Sequence, residues 1–352
     1  MPYLKIVLIA FVAICHQLGA TLLPSSEPPS ALASAEAHQL IMLSFDDNPE
    51  VEPMHWILDF LKDRKDAGGN PVRAVFYANG KYLDASPDLQ AVHRRAVREG
   101  HEIGNHTYNH YHGGQFTVEE WVQELQINQE SLVKAGIPAK AIRGFRAPFL
   151  EYNAATFTAL EKLGFLYDTS IEEGYQADQL GRDDFLWPYT LDEGSPGNAW
   201  SAQSGSKEKV GSHPSLWQIP LHVLLVPDDA TCERYGIEPG LRQRIYKTVK
   251  QHEGWEWNRE AGKITGFDWN VLESARCTPA EYLAILKHSL DERLAGNRAP
   301  FMVGLHTQFF PANLPDRRKA IESFIDYALS KSETRFLTGI ELIAWMKQPV
   351  EL

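Results

Sequence analysis

Five places in this chain carry residue types that bind metal ions or move protons: Asp46-Asp47, His106-Thr-Tyr-Asn-His110, Arg146-Ala-Pro-Phe149, Asp168 and His306. One Asp together with two His at i and i+4 supplies three ligands and leaves a coordination position open. That is the arrangement of catalytic zinc or a similar divalent ion. A second carboxylate, an Arg to hold it and another His then remain, a complement suited to metal-assisted hydrolysis. Singly the pieces say little, because an Asp-Asp pair is usually a turn and a His ending a strand is usually structural. Their joint placement carries the reading.

That placement comes from the elements around them. Apolar runs at 40–45, 74–77, 102–105, 144–147, 165–168, 216–220, 301–305 and 335–337 read as strands. Thr117-Val-Glu-Glu120 and Thr278-Pro-Ala-Glu281 are capping boxes that start helices between them. Repeated βα units predict a parallel sheet closed, or nearly closed, into a barrel, whose chemistry lies where strands finish. Each of the five polar places falls at such an end. The stretch from about 189 to 277 breaks the rhythm with repeated Gly and Pro and reads as a long insertion.

Composition sets the class. With 352 residues, 43% hydrophobic and 23% charged, the chain is globular rather than disordered. A net charge of −12 and no basic block argue against nucleic acid as a partner. Residues 1–20 read as a secretory signal peptide, with Lys5 ahead of an apolar run that is too short to span a bilayer. The mature chain is therefore expected to be secreted or periplasmic, with no transmembrane segment. Residues 21–38, rich in Ser, Pro and Ala, read as a flexible linker outside the fold, and 39–350 as the catalytic domain. Cys232 and Cys277 either pair in an oxidising compartment or stay as two free thiols.

The order Ser44-Phe45-Asp46-Asp47, His106 to His110, Arg146-Ala-Pro-Phe149 and Leu305-His306 resembles the polysaccharide deacetylases of carbohydrate esterase family four, the NodB-homology domain. Gly100-His-Glu-Ile-Gly-Asn-His106, Leu186-Trp-Pro-Tyr-Thr-Leu-Asp192 and Asn297-Arg-Ala-Pro-Phe301 are more narrowly similar to arthropod-type chitin deacetylases. The resemblance implies a distorted (β/α)7 barrel, here with a long loop-rich insertion. It implies a metal-dependent hydrolase that removes N-acetyl groups from N-acetylglucosamine glycans. Chitin or chitooligosaccharides rank first as substrate and peptidoglycan second. The contrasting reading is a non-catalytic carbohydrate-binding protein on the same barrel.

Residue roles carry over the same way. Asp46 matches the general base, and Asp47, His106 and His110 the ligands of a divalent metal, Zn2+ first. Arg146 matches the residue that orients the base, the Phe149 backbone N–H the oxyanion donor, and His306 the general acid. Many relatives place an Asp and a Trp three and four residues after the position of Asp168, where this chain has Ile171 and Glu172. That leaves Asp168 or Asp192 to orient His306, and Trp187 to supply the aromatic wall for substrate. Asn48 stands where Gly or Ala is usual, so the loop beside the base is expected to differ. Trp200, Trp217, Trp255, Trp257 and Trp269 are further candidates for a sugar-binding wall. The negative charge favours a cationic, partly deacetylated polymer over an acidic glycan, weakly and in a salt-dependent way.

Overall fold

The computed structural model describes residues 21–29, 38–174, 181–196, 210–249, 257–258, 262–350 and 352. Five parallel strands open the fold: β1 (Gln39–Asp46), β2 (Ala74–Ala78), β3 (Glu102–Asn105), β4 (Gly144–Phe145) and β5 (Tyr167–Asp168). Trp217–Gln218 extends the sheet in parallel beyond β5, and Tyr189–Thr190 adds an antiparallel edge. On the other side of β1 lies Phe301–His306, in a register that sets Asp46 opposite His306. Thr334–Phe336 pairs with the first half of β1. The sheet curls into a distorted (β/α)7 barrel whose seam lies between its two edges. There the insertion makes a single bridge, from Phe267 to Gly304.

Period-two alternation sorts the side chains of β1. Ile41, Leu43 and Phe45 enter an outer cluster with Met54, Ile57 and Leu58 of the helix Val51–Leu61, and with Phe324 of the helix Pro315–Leu329. Leu40 and Met42 face the barrel interior with Val75, Tyr77, Tyr167, Trp217 and Met302. Ser44 and Asp46 follow on that inward row, so the strand delivers the Asp46 carboxylate to the top of the barrel. Gly104 and Gly144 make room for the large interior rings, since a Cβ on either would meet Tyr77 at 2.4 Å or Tyr167 at 2.2 Å. Both expected capping boxes form, on the helices Val118–Lys134 and Pro279–Ala295.

The expected signal peptide lies outside the described residues, as does 30–37 of the expected linker. Residues 21–29, expected outside the fold, are instead docked on it. Trp187 N donates to Ser25 O at 2.8 Å, Thr190 N to Leu22 O at 2.8 Å, and Asn297 Nδ2 to Ser26 O at 2.8 Å. Leu22 also packs on the barrel-interior cluster, so backbone pairing and apolar contact together offset the ordering entropy that its composition suggested it would keep. Cys232 and Cys277 are buried, unbonded thiols in the outer cluster. Burial pushes both thiol pKa values up, that of Cys277 to about 12, which makes them inert packing groups.

Candidate active site

At the C-terminal end of the strands a cavity of about 380 Å³ is lined by Asp46, Asp47, His106, His110, Phe149 and His306, among others. Two consecutive residues after β1 take left-handed backbone, Asp47 at φ 64° and Asn48 at φ 53°. Asp and Asn tolerate that region better than most side chains. Asn48 is fully buried, and its amide donates to Phe45 O at 2.9 Å and Tyr77 O at 3.1 Å. The expected difference from a Gly or Ala loop is thus a pinned turn that sets the direction of Asp46 and Asp47.

The histidine loop is held as tightly. Thr107 (φ 62°) and His110 (φ 58°) are left-handed, so His106 and His110 meet across a tight turn and not along a helix. Thr107 N donates to Asn105 Oδ1 at 2.9 Å, and His110 N to Thr107 Oγ1 at 3.1 Å. The Glu124 carboxylate accepts from both Asn109 N and Asn109 Nδ2, at 2.9 and 2.7 Å. His106 Nδ1 donates to Arg146 O at 2.7 Å, which leaves its Nε2 lone pair free. That Nε2 lies 3.4 Å from Asp47 Oδ1, and His110 Nε2 lies 3.0 Å from the same oxygen. All three ligand atoms stand within 4.8 Å of one another, and Asp47 Oδ1 is buried without a hydrogen bond. Lone pairs converging in this way, with one imidazole tautomer fixed from behind, fit a divalent cation.

Arg146 is fully buried behind Asp46. Its Nη1 donates to Asp46 Oδ1 at 2.7 Å and to Ser44 Oγ at 2.9 Å, and its Nε to Thr169 O at 3.2 Å. The guanidinium also lies 4.5 Å from the centre of the Tyr77 ring. A charge so enclosed needs its partner, and Asp46 is fixed by that need. Beyond Arg146 the chain turns sharply through Phe149 (φ 56°) and Leu150 (φ 55°), and both residues line the cavity. His112, two residues beyond His110, lies outside the metal set. It stacks on Phe149 at 3.9 Å and hydrogen-bonds Glu151 at 3.0 Å.

His306 has a partner that the sequence reading missed. Its Nδ1 lies 2.6 Å from Asp268 Oδ1, and its backbone N donates to Asp268 Oδ2 at 2.7 Å. Burial pulls the His306 pKa down, but Asp268, then Asp47 and Asp46, outweigh it and push it up to about 9. Burial raises the Asp268 carboxyl in turn, with His306 opposing.

Neither residue proposed for the partner role reaches His306. Asp168 is fully buried and accepts from Ser170 N and Ser170 Oγ at 2.8 and 2.6 Å. Ser170 Oγ accepts in turn from Ala147 N at 2.8 Å, so Asp168 braces the turn under Phe149 instead of touching substrate. Burial pushes its pKa up to about 6. Asp192 caps its own loop through Thr190 Oγ1 and Ser215 N. Trp187 is also corrected: it is 2% exposed and stacks on Trp345 at 6.0 Å, inside the barrel core. Trp217 is buried with it. Trp200, Trp255 and the Trp257 side chain lie outside the described residues. Among the described tryptophans, Trp269 lines the cavity and is 43% exposed. One signal was available in the sequence: the Asp-Trp pair missing after Asp168 recurs as Asp268-Trp269.

A family model described as polysaccharide deacetylase matches residues 34–167. Chitin deacetylase 8 of Bombyx mori is 24% identical over 341 residues, covering 93% of this chain and 75% of that one. A peptidoglycan-N-acetylglucosamine deacetylase of Bacillus cereus is 34% identical over 104 residues, 29% of this chain. The match spans only 34% of the length of that bacterial relative. A crystal structure from Mycobacterium smegmatis, described as a polysaccharide deacetylase, covers 92% of this chain and 93% of its own at 18% identity, with a TM-score of 0.53. That last likeness concerns the fold alone.

Proposed function

We propose that the chain is a polysaccharide deacetylase that hydrolyses N-acetyl groups of N-acetylglucosamine units in chitin or chitooligosaccharides, a reading supported by the family match over residues 34–167 and the likeness to the Bombyx mori protein. One observation carries the reading: Asp46, Asp47, His106, His110 and His306, from three separate strand ends, line a single cavity. Chitin-type substrate is favoured over peptidoglycan because likeness to the Bombyx mori protein runs through the insertion, whereas the match to the Bacillus cereus protein covers less than a third of this chain.

Asp47, His106 and His110 would hold the cation, Zn2+ by the character of the donor set. Such an ion acidifies water and polarises a carbonyl. The protein's own groups do the rest. Asp46, aimed by its bond to Arg146, takes the proton of the attacking water. The Phe149 N–H at the rim donates to the developing oxyanion, a contact worth roughly 10²–10³ in rate. His306, protonated below about 9, delivers a proton to the departing amine nitrogen. Asp268 holds the ring so that Nε2 is the nitrogen left to act. Trp269 and Phe149 offer apolar surface to the sugar. Export from the cytoplasm belongs to the same reading and is supported by the leader-like residues 1–20. No helix among the described residues is long and apolar enough to cross a membrane.

The test is acetate release from chitooligosaccharides by protein loaded with zinc or cobalt, read by mass spectrometry of the glycan. Loss of one acetyl mass per event is expected. Metal-loaded protein that binds chitooligosaccharide without releasing acetate would overturn the enzyme in favour of a sugar-binding protein.

A further inference from the structure

We propose that Gln308 is a positioning residue that makes Asp47 a one-oxygen ligand, tying one carboxylate oxygen and leaving the other for the cation. The proposal rests on the metal site described above. Gln308 lies in the 3-10 turn Thr307–Phe309, immediately after the strand that ends in His306, and lines the cavity. Its Nε2 donates to Asp47 Oδ2 at 2.8 Å. A carboxylate can only accept, so this bond fixes the amide orientation, with Oε1 turned away. Gln308 Oε1 is buried and makes no hydrogen bond. A buried amide that forgoes one bond to keep the other is oriented by Asp47 and not by its surroundings.

The two oxygens of Asp47 are therefore distinct. Oδ2 is occupied by the amide, while Oδ1 faces His106 Nε2 and His110 Nε2 and receives no hydrogen bond. The neighbouring carboxylate is treated the other way: Asp46 is tied by the positive charge of Arg146. A charged tether on Asp47 would repel the very ion that Asp47 must bind, whereas a neutral amide fixes the geometry without that cost. Donors behind metal ligands typically carry about 10- to 100-fold in metal affinity.

The experiment measures zinc affinity, by competition with a chromophoric chelator on the full chain, in the wild type, Gln308→Met and Gln308→Leu. Both variants remove the donor and nearly keep the volume, so either one that folds suffices. The expected result is zinc binding weakened about 10- to 100-fold, with the metal-free melting temperature unchanged. In an Asp47→Ala background the same replacement should change zinc affinity less than about twofold, because the tether then has nothing to hold. Wild-type affinity in a folded Gln308 variant, or an equal loss in the Asp47→Ala background, overturns the proposal. Absence of zinc binding by the wild type would instead overturn the metal site itself.

Discussion

On one side of the cavity Asp46, Asp47, His106 and His110 each stand within a few residues of a parallel strand end, whereas on the other His306 depends on Asp268, from the loop-rich stretch after Cys232. The first side is built from a repeating unit. Each strand points its inward row at the rim, and left-handed Asp47, Asn48, Thr107 and His110 bend the next residues over it. Buried partners such as Asn48, Glu124 and Arg146 then lock the bends. The second side is assembled across the seam of the barrel, where the sheet does not close and Phe267 bridges to Gly304. A regular barrel edge thus supplies Asp46, Asp47, His106 and His110, the proposed base and ligands, and an irregular insertion supplies the partner of His306, the proposed acid.

If this division is right, the greatest loss belongs to the regular side. Asp46→Asn should lower kcat by about 10²–10⁴ while zinc affinity stays near that of the wild type, which separates base from ligand. Titration of metal alongside steady-state rates checks both. Next come two tryptophans, Trp187 and Trp269, which should behave oppositely. Trp187→Ala should cost about 3–5 kcal/mol in denaturant unfolding, since it empties a core position. Trp269→Ala, at an exposed cavity position, should leave the midpoint unchanged and raise KM severalfold. Equal effects on stability would erase the distinction drawn between them.

Asp268→Asn should lower kcat about 100-fold and also move the pH profile. An acid acts only while protonated, so activity that depends on His306 is present below its raised pKa and is lost as pH rises through about 9. Without the Asp268 carboxylate the largest upward influence on the ring is gone, and the alkaline limb should move to lower pH. An unmoved limb would remove Asp268 from its role. The smallest effect concerns Glu173, beside the insertion strand Leu221–His222. Burial pushes its pKa up to about 8, against a hydrogen bond from Tyr189, so it stays neutral in the fold yet ionises at 4.5 when unfolded. Its contribution is complete below 4.5 and lost as pH rises through 8. Glu173→Gln should therefore raise the melting temperature more at pH 8.5 than at pH 5.

The ease of reading the two sides from sequence followed the same line. Apolar runs at 40–45, 102–105, 144–147 and 301–305 announced the strands, and the polar residues at or just beyond their ends announced the rim. Those are local patterns, set by side-chain alternation and by turn chemistry within about ten residues. Asp268 has no such pattern. It is 38 residues from His306, in a segment with no sustained periodicity, and only the Asp268-Trp269 pair sets it apart along the chain from its competitors Asp168 and Asp192. Trp187 misled for a related reason: an aromatic in a loop-rich stretch reads alike whether it caps a core or faces a sugar. Residues 21–29 misled because a polar, Pro-containing composition does not reveal which backbone groups it will meet.

The amino-acid order by itself determined the barrel, the inward direction of Asp46, the grouping of Asp47, His106 and His110, and the place of His306 at the end of its strand, because backbone geometry fixes which way consecutive residues point. Only the folded chain decided which carboxylate accepts the hydrogen bond from His306 Nδ1, which tryptophan touches solvent, and which amide tethers Asp47. Those choices are made by distance through space across the barrel seam, where a difference of a few ångströms selects one partner among chemically equal residues.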